Sequence, residues 1–523
     1  MRITNNIILH NTTSNINGNK VNVNNLNNQM TSQKKIQRPS ENPVIAVRSL
    51  RLRTTLSEID QYYENNIPDA ESWMKVTETA LANMKTILTD IRTQCTYGAS
   101  DQITADDRKT ILTQLEKLRD QVYAEGNADY AGRTVFTGYR TNQKLTFMTD
   151  DNTTSYNITQ GLSYKNLEEH RYYSDEVTLP TTATEVTGNT ISNPKQATFD
   201  RIRLSYGEID SITDKDGNAL SANGATGTLS YSYTDAAGVT QTDGELKVTV
   251  YDTFEDWAKA SQTADNTYNI TDGEAVFIKE SGELILSSDA SSTIKSGRAS
   301  LDVNYTKTGF NKGEGRPGDY YNCTNITDAA KPVEYIKFEN GKEIYQDINY
   351  VVAANQTLTV NTQASAVFDA SIGRDVDAMI EAVKFAQDAN NKVEELEKMQ
   401  KMQEYSSDDC QAALEDWIAA AKKERDYADD NLQKLYNSYI GNFDDYLQKV
   451  NLANTDLGSK GQSLDLTKNR MANQQTTMEE LKSTNEDRDL SEIIIDYTSA
   501  YTAYQASLQA AAKINQTTLL NYI

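Results

Sequence analysis

Apolar residues near the two ends of the chain recur at alternating steps of four and three, the spacing of a helix that packs along one face. Toward the C-terminus these positions are Leu490, Ile494, Tyr497, Tyr501, Tyr504 and Leu508. Near the N-terminus they are Leu9, Ile16, Val23, Leu26 and Met30, with Thr12 and Asn19 between them. We expect the two end helices to pair with each other and these residues to form an assembly seam.

The same spacing continues inward from the N-terminal end, which predicts further helices. One run covers residues 52–91 and contains Pro68, where a kink or a break is expected. After a turn at 97–104, a second helix is predicted over residues 106–130.

The middle of the chain, residues 139–371, follows another pattern, in which short runs of alternating polar and apolar residues are bounded by Gly, Asn and Asp. Residues 216–217 (Asp-Gly) and 340–341 (Asn-Gly) have the composition of hairpin corners. A Gly-, Thr- and Ser-rich stretch at 220–244 predicts a loop. We therefore expect a surface-exposed, β-rich insertion.

Helix resumes near Arg374, and after a turn at 405–407 the helical spacing runs on to Met478. The predicted fold class is therefore α+β, with a long coiled-coil-like helical bundle formed by both chain ends and a β-rich insertion in the middle. The predicted segments are an N-terminal end helix (1–45), the N-terminal part of a helical rod (46–138), the insertion (139–371), the C-terminal part of the rod (372–480) and a C-terminal end helix (481–523).

Composition narrows the class of partner. The chain has 523 residues and a formal net charge of −24. Binding to nucleic-acid phosphates needs clustered Lys and Arg, and the main basic run is the short group Lys34, Lys35 and Arg38, so no nucleic-acid partner is expected. The excess of acidic residues keeps a self-associating protein soluble before assembly.

Candidate catalytic chemistry is scarce, since His10 and His170 are the only histidines. The three cysteines, Cys95, Cys323 and Cys410, lack the spacing of a zinc site or a disulfide framework. The sequence contains no nucleophile elbow, phosphate loop or HExxH segment, and it predicts neither an enzyme nor a cofactor site. It also lacks an apolar run of signal-peptide or membrane-spanning length, so no membrane insertion is expected.

Several short segments, taken together and in this order, resemble the bacterial flagellin-like family. They are residues 1–5 (Met-Arg-Ile-Thr-Asn), 32–36 (Ser-Gln-Lys-Lys-Ile), 38–43 (Arg-Pro-Ser-Glu-Asn-Pro), 73–74 (Trp-Met), 132–138 (Gly-Arg-Thr-Val-Phe-Thr-Gly), 503–508 (Ala-Tyr-Gln-Ala-Ser-Leu) and 519–523 (Leu-Leu-Asn-Tyr-Ile). The resemblance covers roughly residues 1–140 and 440–523.

The resemblance implies a structural subunit of the bacterial flagellum, located outside the cell and exported by the flagellar type III apparatus without a cleavable signal. In this family the end helices form the inner tube of the flagellum, and the variable insertion faces solvent. The segments further imply an adaptor at the hook–filament junction, where copies of the chain form a ring between hook-associated protein 1 and flagellin. A flagellar export chaperone at the C-terminal helix is a further expected partner.

Two positions depart from the family pattern. Gln33 stands where the family has Gly, so a backbone position with positive φ is expected to be lost or strained. Asn42 stands where Asp is usual. The N-terminal segment is also rich in Asn, which weakens an isolated helix, and an unpartnered helix does not offset its ordering entropy. We therefore expect both ends to be disordered in the monomer and to order on assembly.

Two other functions fit the same residues. A filament flagellin shares the helical ends, although the Trp73 motif and the segments at 39–43 and 519–523 favour the junction adaptor. A flagellin-like protein with a binding or adhesive insertion is the other alternative, because the insertion is rich in tyrosine. Examples are Tyr231, Tyr233, Tyr320 and Tyr321. Tyrosines on half-buried strands are more often packing residues, so we expect packing here.

Overall fold

The computed structural model describes residues 5–100, 104–235, 237–262, 268–339 and 341–516, and it confirms an α+β fold with helical chain ends and a central β-sheet region. The helices in this part of the chain are α1 (Asn5–Ser32), α2 (Pro43–Asp60), α3 (Ile67–Gly98), α4 (Ala105–Gly126), α5 (Ala183–Gly188), α6 (Phe254–Ser261), α7 (Ser288–Ser296), α8 (Ala364–Val367), α9 (Ser371–Gln400), α10 (Asp408–Glu486) and α11 (Leu490–Gln516).

All of the described strands lie between α4 and α8. They are β1 (Asp129–Tyr130), β2 (Arg133–Thr134), β3 (Asp151–Ser163), β4 (Leu167–Ser174), β5 (Lys195–Arg203), β6 (Ser211–Thr213), β7 (Ala219–Leu220), β8 (Ala225–Thr234), β9 (Thr240–Tyr251), β10 (Glu274–Ile278), β11 (Glu283–Leu286), β12 (Ser300–Phe310), β13 (Asn322–Asn325), β14 (Val333–Tyr335), β15 (Phe338–Glu339), β16 (Lys342–Glu343), β17 (Asn349–Ala353) and β18 (Gln356–Thr359).

Pro68 alters the helical run without ending it. Between α2 and α3, Gln61–Asn66 forms a π-helical stretch, after which the N–H of Ile67 donates to the carbonyl of Tyr62, five residues earlier. Proline lacks the N–H that an α-helix uses, and its ring crowds the preceding turn, so a wider turn accommodates it. The expected kink or break is therefore a local change of helix type.

α4 begins with a capping box and ends before the predicted boundary. The hydroxyl of Thr104 accepts from the N–H of Asp107, and the Asp107 carboxylate accepts from the N–H of Thr104. The helix ends at Gly126 because the chain then turns into the β1–β2 hairpin, whose corner residues Ala131 and Gly132 have φ of 51° and 77°. Positive φ at both central residues matches the turn that tight hairpins favour.

Twelve of the described strands form one sheet, in the order β14, β13, β3, β12, β8, β9, β10, β11, β5 and β4, while β6 pairs with β12 and β7 pairs with β6. The stretch at 220–244, predicted as a loop, instead supplies much of the antiparallel β8–β9 pair, so that prediction is wrong. Leu229 and Leu246 face each other in this pair and are buried in the core of the sheet. Their small polar neighbours hide the alternation in the sequence.

The hairpin corner at 216–217 lies between β6 and β7, with Gly217 at φ 87°. Gly341, at φ 73°, lies between β15 and β16, and Asn340 lies outside the described residues. Residues 1–4 and 517–523, which hold most of the first and last family segments, also lie outside them.

The chain forms two compact units. The first contains Met1–Glu71, Asn349–Leu358 and Lys460–Ile523, and the second contains Ser72–Ile348 and Thr359–Ser459. The first unit therefore holds α1, α11 and most of the β17–β18 hairpin, and the second holds the sheet. The five segment boundaries expected from the sequence stay predictions.

Candidate assembly surface at the paired chain ends

α1 and α11 pack against each other as an antiparallel pair, which we call the end-helix pair. The side-chain amide of Asn19 donates to the hydroxyl of Ser507 at 2.7 Å. Just beyond α1, Lys34 forms an isolated antiparallel bridge with Asp487, shortly before α11 begins. Residue numbers thus rise along α1 as they fall along α11, and the expected pairing of the two ends occurs within one chain.

The contact face of each helix follows the four-three spacing. On α1 the buried or half-buried positions include Thr12, Ile16, Asn19, Val23, Leu26 and Met30. On α11 they include Ile493, Tyr497, Ala500, Tyr504, Ser507 and Ala511. The Asn19–Ser507 hydrogen bond lies within this face, and a polar contact in an otherwise apolar seam fixes the register of two helices.

Four of the α11 seam residues do not lie on the contact face. They are Leu490 (43% exposed), Ile494 (47%), Tyr501 (43%) and Leu508 (42%), and we call them the outer stripe. On α1, Leu9 is likewise exposed. At 3.6 residues per turn, two neighbouring faces of one helix both satisfy the four-three spacing, so the sequence does not separate them. Ile493 and Ala500 were missed for that reason.

The end-helix pair is poor in charge. Lys20 is the only Asp, Glu, Lys or Arg within Asn5–Ser32, and residues 497–512 contain none, although such residues make up 24% of the chain. Further apolar side chains, such as Ile7 and Val21 on α1, are exposed. An uncharged surface with apolar stripes is buried against another protein without the cost of desolvating charges.

A second group of contacts joins the segment after α1 to the segment before α11. We call it the clasp, formed by Lys34, Ser49, Arg53, Glu486 and Asp487. Arg53 donates to both carboxylate oxygens of Glu486, through Nε and Nη2, at 2.7 Å each. Ser49 also donates to this carboxylate, which is 5% exposed. Lys34 Nζ lies 3.4 Å from Glu486 and 2.5 Å from Asp487.

Charge compensation in the clasp shifts the pKa of both partners. The hydrogen bond from Arg53, with further ones from Ser49 and Lys34, lowers the pKa of Glu486 to about 2. The hydrogen bond to Asp487 raises the pKa of Lys34 above its ordinary value. The basic run noted in the sequence therefore serves an internal contact.

The two departures from the family pattern lie beside the clasp. Gln33 has φ of 55°, so the left-handed backbone is retained at a residue that has a Cβ, and this strains the position. The side-chain oxygen of Asn42 accepts from the N–H groups of Val44 (3.1 Å) and Ile45 (3.3 Å), with Pro43 as the first residue of α2. Asn42 thus caps α2 as an aspartate would.

Two family segments also meet in the second unit. The guanidinium group of Arg133 lies 5.0 Å from the ring centroid of the buried Trp73 and 5.4 Å from that of Tyr130. These cation–π contacts give a physical reason for an arginine in the segment 132–138 and a tryptophan at the start of 73–74.

The tyrosines that suggested a binding surface on the insertion lie in or against the core of the sheet. Tyr231, Tyr233 and Tyr321 pack half-buried against the core of the sheet, and Tyr320 is buried. None of the described helices is long and apolar enough to cross a membrane. In the same part of the chain, no three His, Cys, Asp or Glu side chains are grouped as metal ligands.

Known helical regions match both ends of this chain. The bacterial flagellin N-terminal helical region matches residues 3–141, and the bacterial flagellin C-terminal helical region matches residues 440–523. The two regions together contain the clasp and the end-helix pair.

Two curated proteins are similar to part of the chain. Flagellar hook-associated protein 3 of Salmonella typhimurium is 27% identical over 117 residues, which is 22% of this chain and 37% of that protein. Flagellar hook-associated protein 3 of Escherichia coli is 28% identical over 116 residues, which is 22% of this chain and 36% of that protein. The chain therefore matches little more than a third of the length of these relatives.

Solved structures with similar names match more of the chain at lower similarity. The alignment with a flagellar hook-associated protein from Vibrio parahaemolyticus covers 86% of this chain and 100% of that one, at 13% identity and a TM-score of 0.34. That with the flagellar junction protein FlgL from Legionella pneumophila covers 85% and 100%, at 12% identity and a TM-score of 0.29. The chain therefore carries helical regions similar to those of bacterial flagellin at both of its ends.

Proposed function

We propose that this chain is a structural subunit of the bacterial flagellum that joins the hook to the filament, between a layer of hook-associated protein 1 and the first flagellin subunits. The observation that carries the proposal is the end-helix pair, in which flagellin-type regions from both ends fold together and leave an apolar stripe exposed. Similarity to hook-associated protein 3 over part of the chain favours the junction over the body of the filament.

The outer stripe is the surface that the proposal assigns to contacts between copies. Exposed apolar patches on soluble proteins commonly mark interaction sites. Fully burying an exposed apolar side chain contributes about 1.5–3 kcal/mol, and each residue of the stripe, being about two-fifths exposed, would contribute a corresponding fraction of this to assembly. Copies joined in this way would form a ring whose inner wall consists of paired end helices.

The remaining partners and the location follow from the same proposal. The subunit is exported by the flagellar type III apparatus and resides outside the cell, in the flagellum. Before export, an amphipathic helix with an exposed apolar face, such as α11, suits the groove of a chaperone.

Deletion of the gene in its host tests the junction role. We expect finished hooks without filaments in negative-stain electron microscopy, and flagellin shed into the medium. Filaments of normal length in the deletion strain would refute the junction role and would favour the alternative of a filament flagellin present as a minor subunit.

A pair of point variants tests the outer stripe. Leu508→Asp places a charge on the stripe, which would be buried unpaired between copies, so we expect loss of filaments. Ser499→Asp adds the same charge on the opposite side of α11 at an exposed position and should assemble normally. Normal filaments with Leu508→Asp would remove the stripe from the assembly contacts.

A further inference from the structure

The second unit contains a cavity that the proposed function does not use. Its volume is about 590 Å³, and it is lined by β4, β5 and β11 of the sheet and by α9. Small-molecule sites typically have volumes of roughly 300–1,000 Å³. All of its lining residues belong to the second unit.

Part of the lining of the cavity is aromatic. His170, Tyr173, Phe254 and Phe385 line it, and each ring keeps part of its surface exposed. The ring centroids of Tyr173 and Phe385 are 5.3 Å apart, and the hydroxyl of Tyr173 donates to the carbonyl of Tyr427 at 3.2 Å. The hydrogen bond fixes the orientation of the Tyr173 ring, so the wall is formed before a ligand arrives.

The lining also contains guanidinium donors and carboxylate acceptors. Arg201 is buried and donates to Glu283 at 2.7 Å, so these two charges compensate each other. Arg374 donates to three backbone carbonyl groups, which leaves its positive charge without a carboxylate among its hydrogen-bond acceptors. Glu381 on α9 lines the same cavity and is exposed.

This mixture of groups excludes several classes of ligand. Glu283 is paired with Arg201 and Asp377 with Arg119, so of these carboxylates and Glu381 it is Glu381 that would repel an anion such as phosphate. A cation would be repelled by Arg374, whose hydrogen bonds go to backbone carbonyl groups. An aliphatic ligand would desolvate these charged groups without offering them hydrogen bonds.

A neutral ring with several hydroxyl groups can interact with the guanidinium groups, the carboxylates and the aromatic rings of the lining. Its hydroxyls donate to carboxylates and accept from guanidinium groups, and its C–H face packs on aromatic rings. We propose that the cavity is a saccharide-binding site, in which Glu381 accepts from ligand hydroxyls and Phe385 packs against the ring of the sugar. This inference is independent of the flagellar role.

Saturation-transfer NMR on the full chain tests the proposal, with neutral hexoses, N-acetylhexosamines and their disaccharides as probes. We expect transfer to at least one of these saccharides. Glu381→Ala and Phe385→Ala should each weaken its binding about tenfold or more, because each removes one main contact. Glu395→Ala, which changes an exposed carboxylate on the same helix outside the cavity, should bind like the parent chain.

The exposed position of Glu381 keeps the test valid if Phe385→Ala fails to fold. Absence of transfer to every saccharide would overturn the proposal. Equal binding by Glu381→Ala and the parent chain would overturn it as well, and so would displacement of the bound saccharide by inorganic phosphate or by choline alone, since either result would assign the cavity to a charged ligand.

Discussion

The sheet region buries its large side chains, whereas the end-helix pair leaves several of them exposed. Trp257 and Tyr305 are fully buried in the sheet region, and even the carboxylate of Asp375 in the second unit lies beneath the surface beside Arg203. On α11, by contrast, residues such as Ile494 and Leu508 keep more than two-fifths of their surface exposed. The second unit buries its large apolar side chains in its own core, while the end-helix pair leaves an apolar face exposed.

The largest expected effect lies in the second unit, where a charge is fully buried. Asp375 accepts from Arg203 and from the hydroxyl of Tyr446. Asp375→Ala leaves Arg203 with Glu168 as its remaining carboxylate and removes the acceptor of the Tyr446 hydroxyl, so it should lower the free energy of unfolding by about 3 kcal/mol in urea titration. Lys75→Ala, which breaks an exposed pair with Glu78, should cost less than about 0.5 kcal/mol. Equal losses would show that burial does not distinguish the two pairs.

The clasp should give a smaller effect that is confined to the end-helix pair. Glu486→Gln keeps the shape of the side chain but removes its charge, which should cost about 1.5–3 kcal/mol. Hydrogen exchange should accelerate in α1 and α11 and stay unchanged in the sheet. Glu479→Gln, at an exposed position of the same helix, is the matched control and should leave exchange unchanged. Faster exchange throughout the chain would contradict a local role.

The pH dependence of the end-helix pair should report the same carboxylate. The pKa of Glu486 is about 2 in the folded chain and about 4.3 when unfolded, so the clasp contributes stability above about pH 4.3. That contribution is lost as the pH falls toward about 2. Hydrogen exchange in α1 should accelerate across this window in the parent chain but not in Glu486→Gln. The same acid profile in both chains would assign the effect to other carboxylates.

The smallest effect is expected at Gln33, and it has the opposite sign. Gln33→Gly relieves the strain of a positive φ and should raise the free energy of unfolding of the end-helix pair by about 0.5–1 kcal/mol. Gln33→Ala keeps a Cβ at this position and should give no gain. Circular dichroism of the helical signal during thermal unfolding measures both variants. A gain with alanine as large as with glycine would refute backbone strain as the cause.

Local patterns allowed much of the fold to be predicted, because helix and strand spacing depend on near neighbours. The four-three spacing predicted α1, α11 and the long α10, and Pro68 marked the change of helix type. The expectation that the free ends are disordered assumed that each end helix lacks a partner. In the structure α1 and α11 pack against each other. The disorder of the ends in the monomer stays a prediction.

Contacts between distant segments were not predictable from spacing. Arg53 and Glu486 are 433 residues apart in the sequence. No pattern of neighbouring residues indicates that this arginine pairs with Glu486, the last residue of α10. A similar limit applies to the cavity, where residues of β4 and α9 meet only in the folded second unit.

The pairing of α1 with α11 also sets an order of events in time. Asn19 and its partner Ser507 are separated by 488 positions, so α1 leaves the ribosome long before its partner exists. Contacts this distant in sequence form late, since a long loop must close first. A growing chain therefore has an interval in which its first helix has nothing to pair with. Under the proposed export route, this delay favours an N-terminal segment that is still unfolded when the chain enters the export apparatus.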